Sequence, residues 1–228
     1  MLNAVLPLVL FFAPPGGEDG ARTLEPSPRP VSWELEFRFL DPKRIEVRVP
    51  GTERTETYWY VVYTVSNNTG ASLRFFPVFQ IVTEDLQVHD TDMGISPLVF
   101  DAIRERHKVT HKYLVEPSRA VGTLLTGEDN ARESVAIWRD IDLSINSFTL
   151  YVSGLSGELR TIPNPSYRPD VPETATVKGP DGREREKVVN PKVFTLRKTL
   201  EVRYNLPGSP RARPVTEPER SEVRWILR

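Results

Sequence analysis

The sequence predicts an all-β chain, an immunoglobulin-like antiparallel β-sandwich with one short helix inserted near residues 97–107. Three observations carry that expectation. Apolar residues recur at every second position through several segments, which is the period of a strand with one face in a core. Clusters of Asn, Asp, Gly and Pro separate those segments and supply turns. Proline accounts for 21 of 228 residues, about 9 % against a common ~5 %, a density that breaks long helices and argues against an all-α bundle.

Composition narrows the function classes. The chain carries 30 basic and 31 acidic side chains and a formal net charge of −1, so no overall field draws it to nucleic acid or to an anionic membrane. It has no cysteine, which removes disulfides, thiolate metal sites and a cysteine nucleophile together. A chain of this size can bury a core without disulfides, so their absence does not argue against export.

The ends differ from the body. Ala4–Ala13 is an apolar run of signal-peptide length, too short to span a bilayer and interrupted by Pro7. Residues 1–15 are therefore expected to be a signal segment, without a basic start or a clean small-x-small cleavage site. Residues 16–30 follow as a linker rich in proline (Pro26, Pro28, Pro30) and acid (Glu18, Asp19, Glu25). Residues 31–204 are expected to form the sandwich. Residues 205–228 read as a Pro/Arg-rich extension ending in a candidate edge strand, Val223–Leu227, expected to pair with a sheet edge and bury Trp225. Export to the periplasm or the extracellular space is the expected localisation, and no downstream stretch approaches the ~18 apolar residues of a membrane span.

Within the body, Trp33, Leu35, Phe37 and Phe39 share one parity against Glu34, Glu36 and Arg38. Asp41-Pro42 turns the chain, and Ile45, Val47 and Val49 repeat the pattern. Glu56–Asn67 is nearly all aromatic or β-branched on both parities, as a central strand is. Asn68-Thr69-Gly70 turns it back, and Leu73–Thr83 reads as one strand with Pro77 marking an edge or bulge. Asn67-Asn68-Thr69 matches a glycosylation sequon, although a turn that needs Asn explains it without a sugar. Ser96 caps a helix with Pro97 at its first position and an apolar stripe of Leu98, Val99, Ala102 and Ile103, expected to cover one end of the sheets. Gly127-Glu128-Asp129-Asn130 is a turn. Glu133–Arg139, Asn146–Leu155 and Lys192–Tyr204 are further strands, and Pro180-Asp181-Gly182 is a hairpin tip between Thr174–Lys178 and Glu186–Val189. Seven to nine strands result. Trp33, Phe37, Trp59, Tyr63, Phe148 and Leu200 are expected to share one core between the sheets.

A resemblance follows from particular segments. Tyr58-Trp59-Tyr60 with Asn67-Asn68-Thr69-Gly70, Pro97 with Phe100-Asp101-Ala102-Ile103, Gly127-Glu128-Asp129-Asn130 with Ser134-Val135-Ala136-Ile137-Trp138, and Val152-Ser153-Gly154-Leu155-Ser156-Gly157-Glu158 together resemble a group of exported β-rich proteins of planctomycete-type bacteria. The likeness runs from about Trp33 to Tyr204. It implies compartment and fold, and it brings no activity or functional residue with it.

The chemistry-bearing residues are sparse. His107 and His111 have the helical spacing of two zinc ligands, but Lys108 stands where a zinc protease carries its glutamate. They read as the polar end of a helix. His89, Asp90 and Asp92 resemble the start of a calcium loop without its later bidentate Glu, and read as a surface turn. Asp140 and Asp142 alternate onto one face of an extended segment, where solvent explains them. Gly154-Leu155-Ser156-Gly157 misses the nucleophile-elbow spacing by one residue. No catalytic, cofactor or metal residue is assigned, and no cofactor is expected.

Charge is uneven along the chain. Residues 51–100 carry 2 basic and 6 acidic side chains, and residues 151–228 carry 15 and 10. Arg211, Arg213, Arg220, Arg224 and Arg228 could meet an acidic partner, a cell-wall polyanion or a second copy, although a solvated extension explains them as well. The expected function is that of a non-catalytic exported β-sandwich, a structural or interaction module whose partner is an envelope protein or a cell-surface polymer and not nucleic acid. The alternative is a carbohydrate-directed protein, a binding module or a carboxylate-dependent hydrolase, which requires exposed aromatics among Tyr58, Tyr60 and Trp138.

Overall fold

Because it is rich in β-branched and aromatic residues on both parities, the longest early run becomes the centre of a sheet covered on both faces. The computed structural model describes residues 32–48, 54–91, 94–179 and 182–228. The leader and linker expected in residues 1–30 lie outside the described residues.

The chain begins with strands β1 (Glu36–Phe39), β2 (Lys43–Arg48), β3 (Thr55–Ser66), β4 (Leu73–Phe75), β5 (Val78–Thr83) and β6 (Val88–Asp90). Helix α1 (Pro97–His107) and the single turn α2 (Pro117–Ala120) come next. Strands β7 (Gly122–Leu124), β8 (Arg132–Arg139), β9 (Ser147–Ser153) and β10 (Leu159–Pro163) follow. The last four strands are β11 (Thr174–Lys178), β12 (Glu184–Val188), β13 (Val193–Asn205) and β14 (Glu219–Leu227).

Two antiparallel sheets carry the architecture. In the four-stranded sheet β3 pairs with β8 along one flank and with β1 and β2, end to end, along the other. The six-stranded sheet runs β10-β13-β9-β5-β6, with β14 on the second flank of β13. Trp59, Tyr63, Phe148 and Leu200 are buried in one cluster between the sheets, with Trp33 and Phe37 packed against it. The expected all-β sandwich and its shared core are thus present. Trp59 meets Phe148 edge-on at 5.7 Å, and Phe148 stacks on Tyr204 at 5.2 Å, geometries that aromatic pairs favour.

The opposite parity of β3 faces a second core. Tyr58, Tyr60 and Val62 pack with Ile45, Val135 and Ile137 beneath Val99, Phe100 and Ile103 of α1. The helix therefore covers the outer face of the first sheet, not one end of the sandwich as expected. Its buried stripe is Val99, Phe100, Ile103 and His107, while Leu98 is exposed. A start at Pro97 makes Leu98 an early helical position, turned away from the 99/103/107 row. Ser96 does cap the helix, its Oγ accepting from the Leu98 N–H at 3.4 Å.

Three other expectations change. The strand Leu73–Thr83 is two strands, because Pro77 removes a ladder donor and β4 leaves to pair with β7 while β5 pairs with β9. There are fourteen strands among the described residues rather than seven to nine. The additional β6, β7 and β10 are three to five residues long, too short for a period to register. The C-terminal segment does return to an edge: β14 pairs along β13 from Lys198↔Leu227 to Asn205↔Glu219. Trp225 is not buried as expected, however. It stays 37 % exposed, with the Lys198 ammonium 5.2 Å from its ring centroid.

The basic extension is tied down by one residue. Arg213, itself buried, donates to the carbonyls of Gly208, Leu143, Ser144 and Ile145 and to Asn146 Oδ1 at 2.7–3.1 Å. Arg220 closes on Asp41 and lies over Phe39 at 4.9 Å. No helix among the described residues is long and apolar enough to cross a membrane.

Candidate functional site

His107 ends α1 on its buried side, so its ring enters the second core instead of forming a solvated helix end. Its Nε2 lies 3.1 Å from the Tyr60 hydroxyl, and its ring meets that of His111 edge-on at 5.6 Å. The Tyr60 oxygen also accepts from Arg106 at 3.3 Å. Burial pushes the His107 pKa below its ordinary 6.5, and the neighbouring His111, Lys43 and Arg106 push the same way. The arrangement suits a neutral imidazole accepting from Tyr60. With three cationic or ionisable nitrogen groups around it and no carboxylate ligand, it is a poor home for a cation. Among the described residues no group of three His, Cys, Asp or Glu side chains could hold a metal.

The other candidates are dispersed. His89 and Asp90 lie in strand β6 rather than a turn, His89 opposite Ile81 and Asp90 accepting from Gln80 Nε2 at 2.8 Å; Asp92 lies outside the described residues. Asp140 and Asp142 do not share a strand face, since β8 ends at Arg139. Asp140 instead accepts from Trp59 Nε1 at 3.2 Å and from Arg44 at 3.1 Å, joining the core indole to the surface. Asp142 accepts from the Ser144 N–H and hydroxyl, which hold its carboxyl below the usual range. The Ser156 hydroxyl donates to Trp33 O and accepts from Glu158 N–H, both at 3.1 Å, so it fastens a loop. Asn67 is buried, with its side chain bonded to Ala71 O, Leu124 O and Thr69, which makes the sequon a turn lock.

Tyr58, Tyr60 and Trp138 are 2 %, 1 % and 1 % exposed. None offers a face on which a sugar ring could stack, because each lies in one of the two cores.

Two surface features were missed by the reading of the sequence. The first is a ribbon made by β10 and the first half of β13, Leu159↔Arg197 to Pro163↔Val193, which runs past the ends of β9 and β14. Ile162 and Phe194 sit directly opposite each other on one of its faces, and Leu159 and Val193 lie on the other; all four are exposed. The hairpin β11–β12 follows it, with its base pinned by buried Asn190 bonding Arg168 and Val171. Phe194 shares the parity of the buried Leu200, but the opposing sheet ends before reaching it and leaves it exposed.

The second feature is a depression of about 190 Å³ on the outer face of the six-stranded sheet, lined by Val78, Gln80, Tyr151, Ser153, Arg197, Thr199 and Arg228. No family model, curated protein or solved structure matches the chain. The site is therefore read from its own chemistry. The Arg228 guanidinium stacks over the Tyr151 ring at 4.2 Å, and the Arg197 and Arg228 main chains bond each other reciprocally at 2.7 and 3.0 Å. Reciprocal bonding puts the two side chains on the same face. A second depression, of about 180 Å³, is lined by Glu36, Arg38, Thr64, Ser66, Glu128 and Ala131. There Glu36 already holds Arg38.

Proposed function

We propose that this protein is a non-catalytic, exported β-sandwich that works as an interaction module, with the β10–β13 ribbon as its docking element. The supporting observation is that ribbon. Two strands with no covering layer among the described residues are marginal on their own, yet this pair presents apolar residues on both faces, and among the described residues no strand pairs with the outer edge of β10. Exposed, apolar, strand-edged surface is what partner chains add to. Pro163 and Arg160 blunt the edge against uncontrolled pairing, which fits a protein that must stay soluble until it meets a partner. The immunoglobulin-like character of the sandwich belongs to the same reading, supported by two packed antiparallel sheets with Trp59 in their common core.

The test is cross-linking capture from the native envelope fraction with the wild-type chain and with the double variant I162S/F194S. Retention of a discrete partner by the wild type and its loss from the variant, at unchanged melting temperature, is the expected result. Equal capture by both would remove the ribbon from the reading, and turnover of a polysaccharide or peptide substrate by the purified chain would remove its non-catalytic part.

A further inference from the structure

The outer face of the six-stranded sheet is electrically divided. Toward one end, Glu201 on β13 is 3 % exposed and accepts from both Arg203 and Arg224 at 2.8 Å, while Glu222 pairs with the same two guanidiniums at 3.2 and 3.3 Å. Two cations meet two anions, and that cluster is closed. At the other end, Arg197 and Arg228 stand directly across the ladder from each other, and among the described residues no Asp or Glu side chain pairs with either guanidinium. Like charges facing across a strand pair oppose folding. The same strands show that the fold can place a Glu beside an Arg where neutrality is wanted.

The rest of the lining is polar but uncharged. Ser153 brings a hydroxyl, Thr199 is buried with its own hydroxyl donating to Arg197 O at 3.0 Å, and Tyr151 holds the Arg228 guanidinium against its ring. Gln80 brings an amide whose nitrogen already donates to Asp90. Val78 supplies one apolar wall. Guanidiniums bind carboxylates through paired N–H donors, and stacking on an aromatic ring orients that donor plane.

We infer that this depression is a binding site for a hydroxylated carboxylate, the chemistry of a uronic-acid sugar unit. Arg197 and Arg228 take the carboxylate. Ser153 and Gln80 serve the hydroxyls, and Val78 receives the apolar edge of the ring. The site does not depend on what docks on the ribbon, and its test does not use the ribbon's partner.

The experiment is calorimetric titration of the full chain with trigalacturonate, with neutral galactotriose and with inorganic phosphate, repeated for R197Q, R228Q and R203Q. Saturable binding of trigalacturonate is expected, weakened tenfold or more in R197Q and in R228Q and unchanged in R203Q, whose guanidinium belongs to the closed cluster. It should weaken as salt is raised, and galactotriose should not bind. Without ligand, R197Q should melt no lower than the wild type, since it relieves repulsion. Phosphate binding as tightly as trigalacturonate would overturn the sugar-acid assignment. No saturable binding of trigalacturonate, or binding by R197Q and R228Q as tight as that of the wild type, would overturn the site itself.

Discussion

Single residues connect the two cores to the surface. Trp59 fills the space between the sheets, with its Nε1 on Asp140 and the Arg44 guanidinium 5.7 Å from its ring. Trp59→Ala should cost about 3–5 kcal/mol, the range for emptying a large aromatic site, and chemical denaturation of the two proteins measures it; a loss under about 1 kcal/mol would contradict the burial. His107 makes stability depend on pH. Its folded pKa lies below the unfolded 6.5, so the unfolded chain takes up its proton first as pH falls. The contribution is therefore complete above about 6.5 and is lost on the way down to the folded pKa. Melting temperatures from pH 8 to pH 5 should fall more for the wild type than for His107→Gln, and parallel curves would show that the ring does not titrate differently on folding. Tyr63 is pushed up to about 12 by its burial, with Ser134 and Arg132 opposing, and so stays neutral throughout that range. Arg213 gathers five acceptors that lose their donor together if it is shortened. Arg213→Ala should cost about 2–3 kcal/mol, near a single charge-assisted bond, because carbonyls at the loop surface regain water. Arg213→Lys should not restore the loss, since one ammonium cannot span the same acceptors; full recovery in a denaturation series would contradict this role.

At the scale of elements, loop geometry decides more than strand propensity does. Gly154 leaves β9 at φ +84, and a Cβ there would stand 2.5 Å from Phe76 O, a backbone atom that cannot step aside. Gly70 has nearly the same φ, +83, with nothing within 4 Å of a Cβ. Gly70→Ala should thus cost about 1 kcal/mol of backbone strain, and Gly154→Ala clearly more, since strain and overlap combine; equal unfolding midpoints for the two variants would refute the distinction. The long strands were legible in the sequence. Thr55–Ser66, Arg132–Arg139 and Val193–Asn205 lie within one or two residues of the runs read from alternation. So was the hairpin, with Gly182 of its expected tip at φ +74, although Pro180 and Asp181 lie outside the described residues. The place of α1 was not legible. An amphipathic stripe states that one side must be covered but does not name the surface that covers it, and the clue lay elsewhere, in the apolar second parity of β3. Likewise the opposed Arg197 and Arg228 are 31 positions apart in the chain, and only the β13–β14 register makes them neighbours.

At the scale of the molecule, Ser32–Arg228 forms one compact unit, and a chain beginning at Ser32 should fold alone with a cooperative transition. Removing residues 219–228 should lower the midpoint clearly, because β14 covers a flank of β13 over eight register pairs and carries Arg220 to Asp41 and Phe39. Paired melts of the two truncations test both statements, and a larger loss from the first would show that residues before Ser32 belong to the core. What the sequence determined by itself was the class of structure: alternation, turn chemistry and proline spacing are local properties, and they specify strands, hairpins and one capped helix wherever the chain goes. What only the tertiary structure decided was which faces meet. Burial of Tyr58, Tyr60 and Trp138, exposure of Phe194, and the junction of Arg197 with Arg228 all depend on where one sheet ends against another. That is a relation between distant segments, set by packing of the whole rather than by any local pattern.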